Sequence, residues 1–139
     1  MNIVILSKGS GNYSTKRLVA TAEARGHNVR VINYSKCYVT LESSNPVVRY
    51  QGEEVRNVDV VIPRIASSLT KYGSSIVRQF EMQNVPVTTS SISIVRSRDK
   101  LRSMQLLAKT GVGIPKTVFV RETADFDDVL EQVGGAPVI

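Results

Sequence analysis

The feature that most constrains this fold is a strand, a helix and a second strand within the first thirty-odd residues. Residues 2–6, "NIVIL", are almost all β-branched or aliphatic, which is typical of a strand covered on both faces. A helical spacing follows over residues 14–25, with Ser14 as the expected N-cap and Gly26 as the expected left-handed end. The stretch "HNVRVIN" then alternates apolar and polar positions, as a strand does. This order predicts two parallel strands joined by a right-handed crossover.

The middle of the chain continues the α/β pattern. The stretch "VVRYQGEEV" indicates a small hairpin that turns near Gln51 and Gly52. The stretch "VDVVIPRI" indicates a buried strand that ends at Pro63, because proline cannot donate to a sheet. A doubly wound α/β domain with a mainly parallel sheet flanked by helices is therefore expected over roughly residues 1–95. Its remaining elements are a helix over residues 69–82 with Leu69, Ile76 and Phe80 inward and Tyr72 as a further candidate, a strand over 85–89, and a helical turn over 90–95.

Residues 97–120 predict a helix followed by a strand over 117–120. Ser97 is the expected N-cap, apolar residues recur at helical spacing, and Gly111 ends the helix. Lys100 falls in the first turn, where a cation is slightly unfavourable unless an anion occupies the same end. Such a local conflict is expected at functional sites, although a solvated lysine explains it equally well.

Composition excludes several classes of site. The 139 residues are 42% apolar, enough for one ordinary core, yet no apolar run approaches bilayer length. Cys37 is the only cysteine and there is one histidine, so neither an internal disulfide nor a zinc site is expected. Asp125, Asp127 and Asp128 are expected to begin a helix rather than to bind a metal. The N-terminus shows no signal-peptide pattern, so a cytoplasmic location is expected.

The chain is basic, with a net charge of +6 and a pI of about 9.7. This balance suits an acidic partner, but a solvated basic surface is an equally open explanation. The charge is concentrated in "VRSRDKLRS", where Arg96, Arg98, Lys100 and Arg102 alternate. No aromatic residue interleaves with them, so direct nucleic-acid binding is not expected.

The loop "SKGSG" after the first strand contains two glycines, so it could hold a phosphate. A Walker loop requires a lysine after its glycines, which is not the case here. The dinucleotide fingerprint also fails, because Ser14 replaces its third glycine and the second strand ends at Asn33 rather than at an acid. The loop is therefore expected to be a strand-to-helix turn. Because ligands bind at this edge of α/β sheets, Ser7, Gly9 and Ser10 are candidate substrate-binding residues.

Several motifs together resemble a known enzyme family. The segment "RDKLRSMQLLAKTGVGIPKT" is similar to the opening segment of ATP-grasp enzymes, and "VIPRI" and "YGSSIVRQFE" resemble the RimK-type ligases. The likeness extends from "NIVILS" to "VGGAP", over essentially the whole chain. Those enzymes add glutamate to the C-terminus of a small-subunit ribosomal protein. The resemblance implies a Rossmann-like pre-ATP-grasp domain over residues 1–96, followed by the first part of an ATP-grasp domain over residues 97–139.

The resemblance suggests roles for two residues. Lys100 matches the first of two lysines that contact ATP phosphates in ATP-grasp enzymes, and Arg64 is a candidate for the substrate cleft. A guanidinium can bind a carboxylate through two parallel hydrogen bonds, although a structural salt bridge is an equally open role for Arg64. For the whole enzyme, the resemblance implies ATP with Mg²⁺ or Mn²⁺ as cofactors. It implies glutamate and the acidic C-terminal tail of a ribosomal protein as partners, and the family also allows a homo-oligomer.

The remaining ATP-grasp machinery is expected to lie outside this sequence. In the family, the second lysine, the glycine-rich flap and the acidic metal ligands all follow the segment that matches here. We therefore expect no catalytic residue and no metal ligand in this chain, and no useful ATP binding by the chain alone. Two other functions stay open. One is a self-sufficient Rossmann-like oxidoreductase, against which the broken glycine pattern argues, and the other is a non-catalytic module that binds the ribosome or an acidic peptide.

Overall fold

A computed structural model describes residues 1–43, 46–122 and 125–137. The chain divides into two compact units, Met1–Arg98 and Asp99–Ile139. The second unit contains α4 (Lys100–Lys109) and α5 (Phe126–Val133). The first contains β1 (Asn2–Ser7), α1 (Tyr13–Ala24), β2 (Asn28–Ile32), β3 (Cys37–Thr40), β4 (Val47–Tyr50), β5 (Glu53–Glu54), β6 (Val60–Arg64), α2 (Thr70–Met82) and α3 (Ser91–Arg98), with short 3-10 helices at Tyr34–Lys36 and Ser67–Leu69.

The main sheet of the first unit is parallel and has the order β2–β1–β6, which confirms the predicted β–α–β unit. The central strand β1 alternates its side chains between two apolar layers. Ile3 and Ile5 pack with Ala22 of α1, whereas Val4 and Leu6 join the larger core that contains the apolar residues of α2. Apolar layers therefore cover both faces of the sheet, as a doubly wound α/β fold requires.

The two ends of α1 test two sequence predictions. The helix begins at Tyr13 with Asn12 at the N-cap position, so the prediction that Ser14 is the N-cap is wrong. The backbone oxygen of Asn12 already accepts from Lys16 N–H at 3.0 Å, which places Ser14 inside the first turn. At the other end, Gly26 has a φ of +77°, the left-handed conformation that was predicted for it.

Strand β6 continues one residue past Pro63, so the strand end predicted at Pro63 is one residue too early. The backbone of Val61 donates to Pro86 O and accepts from Thr88 N–H, at 2.9 and 3.0 Å. Because alternate residues of a strand point their peptide groups to the same side, the backbone of Pro63 faces that side too. No further bridge is found there among the described residues. The proline therefore removes no ladder hydrogen bond, and the strand carries Arg64 to the edge of the sheet.

The second sheet is antiparallel and has the order β3–β4–β5. Gln51 and Gly52 connect β4 to β5, with φ values of +53° and +87°. Two successive positive φ angles are the mark of a tight hairpin turn, so the predicted hairpin is confirmed.

Helix α2 closely matches the predicted range, and Ile76 and Phe80 are buried as predicted. Tyr72 does not face inward: its side chain is 43% exposed, and its hydroxyl donates to the backbone oxygen of Cys37. The strand predicted over residues 85–89 is reduced to a single bridge between Val87 and β6. Helix α3 is longer than the predicted turn and extends to Arg98.

The start of α4 corrects another prediction. Its N-cap is Asp99, whose carboxylate accepts from Arg102 N–H at 3.0 Å. Ser97 is not the cap, because it lies within α3 and donates its hydroxyl to Ile94 O at 3.0 Å. Lys100 does fall in the first turn of α4 as predicted. Asp99 supplies a negative charge at the same helix end, which offsets the unfavourable position of the lysine.

The remainder of the second unit is partly as predicted. Residues 117–120 do not form the expected strand, because a strand needs a paired neighbour and no described segment pairs with this one. Asp125 caps α5 and accepts from Asp128 N–H at 3.2 Å, and Asp127 lies in the same first turn. The three aspartates therefore begin a helix, as predicted.

Candidate functional site

A cleft of about 440 Å³ lies at the carboxyl ends of β1 and β6. From β1 the chain passes through α1 to β2 on one side, and it later returns as β6 on the other side of β1. Ligands of open α/β sheets bind at such a change of strand order, and a cleft of this size suits a small organic ligand. Its walls combine basic, hydroxyl, amide and apolar side chains.

Arg64 reaches the cleft because it is the last residue of β6, in register with Ser7 of β1. Its side chain is exposed, and its Nη2 donates to the hydroxyl of Ser14 at 2.6 Å. The structural salt bridge considered from the sequence is not observed, since no carboxylate pairs with Arg64 among the described residues. Arg64 therefore retains N–H donors that an anion in the cleft can use.

Ser7 lines the cleft but is almost fully buried. Its hydroxyl lies 2.9 Å from Gly9 O, to which it donates, and 3.2 Å from the hydroxyl of the buried Thr15. These contacts join the end of β1 to the following loop and to the first turn of α1. The candidate Ser7 thus supports the cleft wall through its own contacts.

The other two candidates from the loop, Gly9 and Ser10, do not line this cleft. Neither Gly9 nor Gly11 has a positive φ. A Cβ atom on Gly9 would come no closer than 4.0 Å to Asn12 Nδ2, and one on Gly11 would meet nothing within 4 Å. The loop conformation does not require glycine at either position, unlike a loop whose backbone is wrapped around a phosphate.

Two further cations line the cleft, Lys8 and Arg98. Arg98, at the end of α3, donates to Ile65 O at 2.9 Å and so holds the segment after β6. The sequence identifies Arg98 as part of a basic run, whereas Lys8 and the amide side chain of Asn12 are not among the site residues predicted from it. Their sequence signal is their position directly beside the predicted turn at the edge of the sheet.

The cleft is positively charged. Lys8, Arg64 and Arg98 contribute to its lining, and no acidic residue does so among the residues that the structure describes. Cations that lack a nearby counter-charge attract anions, most strongly in a concave site with low-dielectric walls. The arrangement can therefore bind a carboxylate or another oxyanion.

Lys100 belongs to the second unit, where it is the first residue of α4 and is exposed. Within the described residues it forms no ion pair, so its ammonium group remains available to a phosphate. The described residues contain no group of three or more histidine, cysteine or acidic side chains that could hold a metal. The described part of the chain therefore contains no cluster of ligands that could hold a metal ion by itself.

The single thiol is buried, which disfavours the reactive thiolate form. Cys37 is 2% exposed, and burial raises the pKa of its thiol to about 11. A protonated, buried thiol reacts slowly.

None of the described helices is both long and apolar enough to cross a bilayer.

Comparison with known proteins agrees with this architecture. The pattern of the RimK PreATP-grasp domain matches residues 1–94, and that of the RimK-like ATP-grasp domain matches residues 97–139. A probable alpha-L-glutamate ligase of Teredinibacter turnerae is 52% identical over 139 residues, which is 100% of this chain and 46% of that protein. The chain thus spans about half the length of the curated relatives it matches.

Solved structures show the same fold. A RimK domain protein of the ATP-grasp type from Sphaerobacter thermophilus has a TM-score of 0.63 at 14% identity, over 83% of this chain and 40% of that chain. The ATP-grasp ligase PsnB, in a complex with minimal precursor, Mg and ADP, has a TM-score of 0.60 at 16% identity, over 86% of this chain and 47% of that chain. With the first 94 residues matched by the RimK pre-ATP-grasp pattern and the remainder by its ATP-grasp pattern, this chain belongs to the RimK family of ATP-grasp proteins.

Proposed function

We propose that this chain is the N-terminal part of an ATP-dependent carboxylate–amine ligase that adds L-glutamate to the C-terminus of a small-subunit ribosomal protein. The observation that carries the proposal is the 52% identity, over every residue of the chain, to a probable alpha-L-glutamate ligase. Residues 1–96 act as the pre-ATP-grasp domain, and residues 97–139 begin the ATP-grasp domain. The reaction belongs in the cytoplasm, where the ribosomal substrate is made and assembled.

The basic cleft supports an acidic substrate. Lys8, Arg64 and Arg98 line it without an acidic neighbour among the described residues, so a carboxylate-rich peptide tail or free glutamate would neutralise their charge. The guanidinium of Arg64 offers the planar pair of donors that a carboxylate prefers. The first unit therefore recruits the acidic substrate.

Nucleotide chemistry is assigned mainly to the rest of the protein. Lys100 is the candidate ligand for an ATP phosphate, and phosphoryl transfer depends on Mg²⁺ and several clustered cations. The described residues contain no cluster of three or more metal ligands, and the Teredinibacter relative is more than twice as long as the match. We therefore propose that the chain alone neither hydrolyses ATP nor binds it with micromolar affinity. Calorimetry with ATP and Mg²⁺ tests this directly.

The proposed ligase activity is tested with the full-length protein. It is incubated with ATP, Mg²⁺, L-glutamate and a peptide that ends in acidic residues, and the peptide mass and the ADP formed are followed. We expect the peptide to gain glutamyl residues, with one ADP released for each. A peptide with a C-terminal amide is the matched control, because it has no terminal carboxylate to activate. Peptide binding without any gain in mass would refute the ligase and support the non-catalytic binding module.

A further inference from the structure

Arg64, which lines the cleft, contacts a residue fifty positions earlier in the chain. Ser14 is in the first turn of α1, Arg64 is the last residue of β6, and Arg64 Nη2 donates to Ser14 Oγ at 2.6 Å. Both side chains are exposed, so burial does not hold the guanidinium in place. This hydrogen bond is therefore the contact that fixes its direction.

The contact uses only part of the hydrogen-bonding capacity of Arg64. A guanidinium carries several N–H donors in one plane, and the described residues provide no acid that pairs with it. The hydroxyl of Ser14 is a neutral acceptor, so it orients the guanidinium without cancelling its charge. An acidic residue in its place would occupy the same donors and neutralise the positive field of the cleft.

The surroundings favour an organic carboxylate as the ligand. Apolar groups from Pro63, Ile65 and Ile94 share the walls with Lys8 and Arg98. A cleft with such mixed walls can contact the methylene groups of an acidic side chain as well as its charge. Bidentate contact with a carboxylate also depends on the orientation of the guanidinium, whereas attraction to a point charge does not.

We infer that Ser14 is a positioning residue, which holds Arg64 so that its free N–H groups face a carboxylate of the acidic peptide substrate. This inference rests on the proposed function for the identity of the substrate. Without the hydroxyl, Arg64 keeps its charge but samples more rotamers, and ordering it on binding weakens the complex. The loss falls on substrate binding and leaves the chemical step unchanged.

The test uses the full-length protein and four variants. We expect Ser14→Ala to raise KM for a peptide ending in two glutamates by about threefold to tenfold, with kcat within about twofold. Ser14→Thr keeps the hydroxyl and restores KM. Arg64→Lys keeps the charge but lacks the planar pair of N–H donors, and it raises KM at least as much as Ser14→Ala. Ser75→Ala is the matched control, because it removes a similar contact to Arg78 Nη2, at 3.1 Å, outside the cleft.

Calorimetry separates failure of this inference from failure of the proposed function. The peptide, its C-terminal amide form and inorganic phosphate are each titrated into wild type and Ser14→Ala, which requires no ligase activity. Weaker peptide binding by Ser14→Ala supports the inference even if the wild type ligates nothing. Unchanged KM and Kd for Ser14→Ala would overturn it, and so would phosphate binding as tight as the peptide. A KM change in Ser75→Ala as large as in Ser14→Ala would show a general structural effect and would also overturn it.

Discussion

The hydroxyl of Tyr34 accepts a hydrogen bond from the backbone N–H of Ala66 at 2.9 Å. Tyr34 is fully buried in the main core of the first unit, and Ala66 lies in the segment after β6 that lines the cleft. Arg98 holds the same segment from the other direction, through Ile65 O. The backbone of this cleft wall is therefore held both by the core and by the end of α3.

Replacing Tyr34 by Phe is expected to lower the free energy of unfolding by about 1–2 kcal/mol. The ring still fills its space, but the Ala66 N–H loses its partner, and an unpaired, partly buried donor is costly. Urea denaturation of wild type and variant measures the change. Tyr38→Phe is the control, because that side chain is 44% exposed. Equal, small effects of the two variants would show that the Tyr34 hydroxyl does not hold the cleft wall.

Gly73→Ala is expected to destabilise the first unit by about 1–2 kcal/mol, even though alanine is the better helix former by about 1 kcal/mol. A Cβ atom on Gly73 would overlap Ile65 Cγ2 and lie 3.0 Å from Ile65 Cδ1. The test is a double-mutant cycle, in which chemical denaturation measures the free energy of unfolding of Gly73→Ala, Ile65→Ala and the double variant. Gly73→Ala should cost less stability once the Ile65 side chain has been shortened. Strict additivity in this cycle would contradict the predicted overlap. Gly11→Ala, where a Cβ would meet nothing within 4 Å, should be nearly neutral.

The buried Cys37 gives a prediction about pH. Burial raises its pKa from 9.0 to about 11, so the folded chain retains this proton at pH values where the unfolded chain has lost it. The stability from this group is complete below pH 9 and is lost as the pH rises toward 11. Between pH 8 and pH 10, wild type should lose about 1 kcal/mol more than Cys37→Ala. Urea titrations measure the free energy of unfolding at the two pH values. An equal loss in wild type and in Cys37→Ala would show that the pKa of Cys37 is not raised in the folded chain.

Lys100→Ala in the full-length protein is expected to weaken ATP binding about tenfold, because a charge-assisted contact to phosphate is lost. Lys109→Ala removes an exposed lysine from the last turn of the same helix and should leave ATP affinity within about twofold. Nucleotide titrations of both variants measure the difference. If the two substitutions have the same effect, Lys100 acts only through the general charge of the protein and the assigned contact is wrong.

Much of the first unit could be predicted because its signals are local. The alternation and spacing of apolar residues identified β1, α1, β2 and the hairpin at Gln51 and Gly52. Helix starts were less predictable, because several side chains near each start can accept a backbone N–H. The sequence favours Ser14 and Ser97 as caps, but the residues at the N-cap positions are Asn12 and Asp99. Residues 117–120 have the composition of a strand but do not form one, because a strand needs a paired neighbour.

The candidate site could be predicted only in part. The resemblance to the RimK-type ligases, together with the position of Arg64 at a strand end, suggests Arg64 as a candidate before the structure is considered. The contact between Arg64 and Ser14 depends on tertiary structure, since fifty residues separate them. The same holds for Arg98, which the sequence presents as one member of a basic run and which the fold brings to the cleft.

The most direct test of the proposed ligase follows one oxygen atom of the acceptor peptide. Its C-terminal carboxylate is labelled with heavy oxygen, and the peptide is incubated with the full-length protein, ATP, Mg²⁺ and L-glutamate. Activation as an acylphosphate, followed by attack of the glutamate amine, leaves one labelled oxygen in the phosphate released. We therefore expect one labelled inorganic phosphate for each peptide molecule extended, because any later addition activates the unlabelled carboxylate of the glutamate just added. Phosphate without label, or a peptide of unchanged mass, would contradict the account.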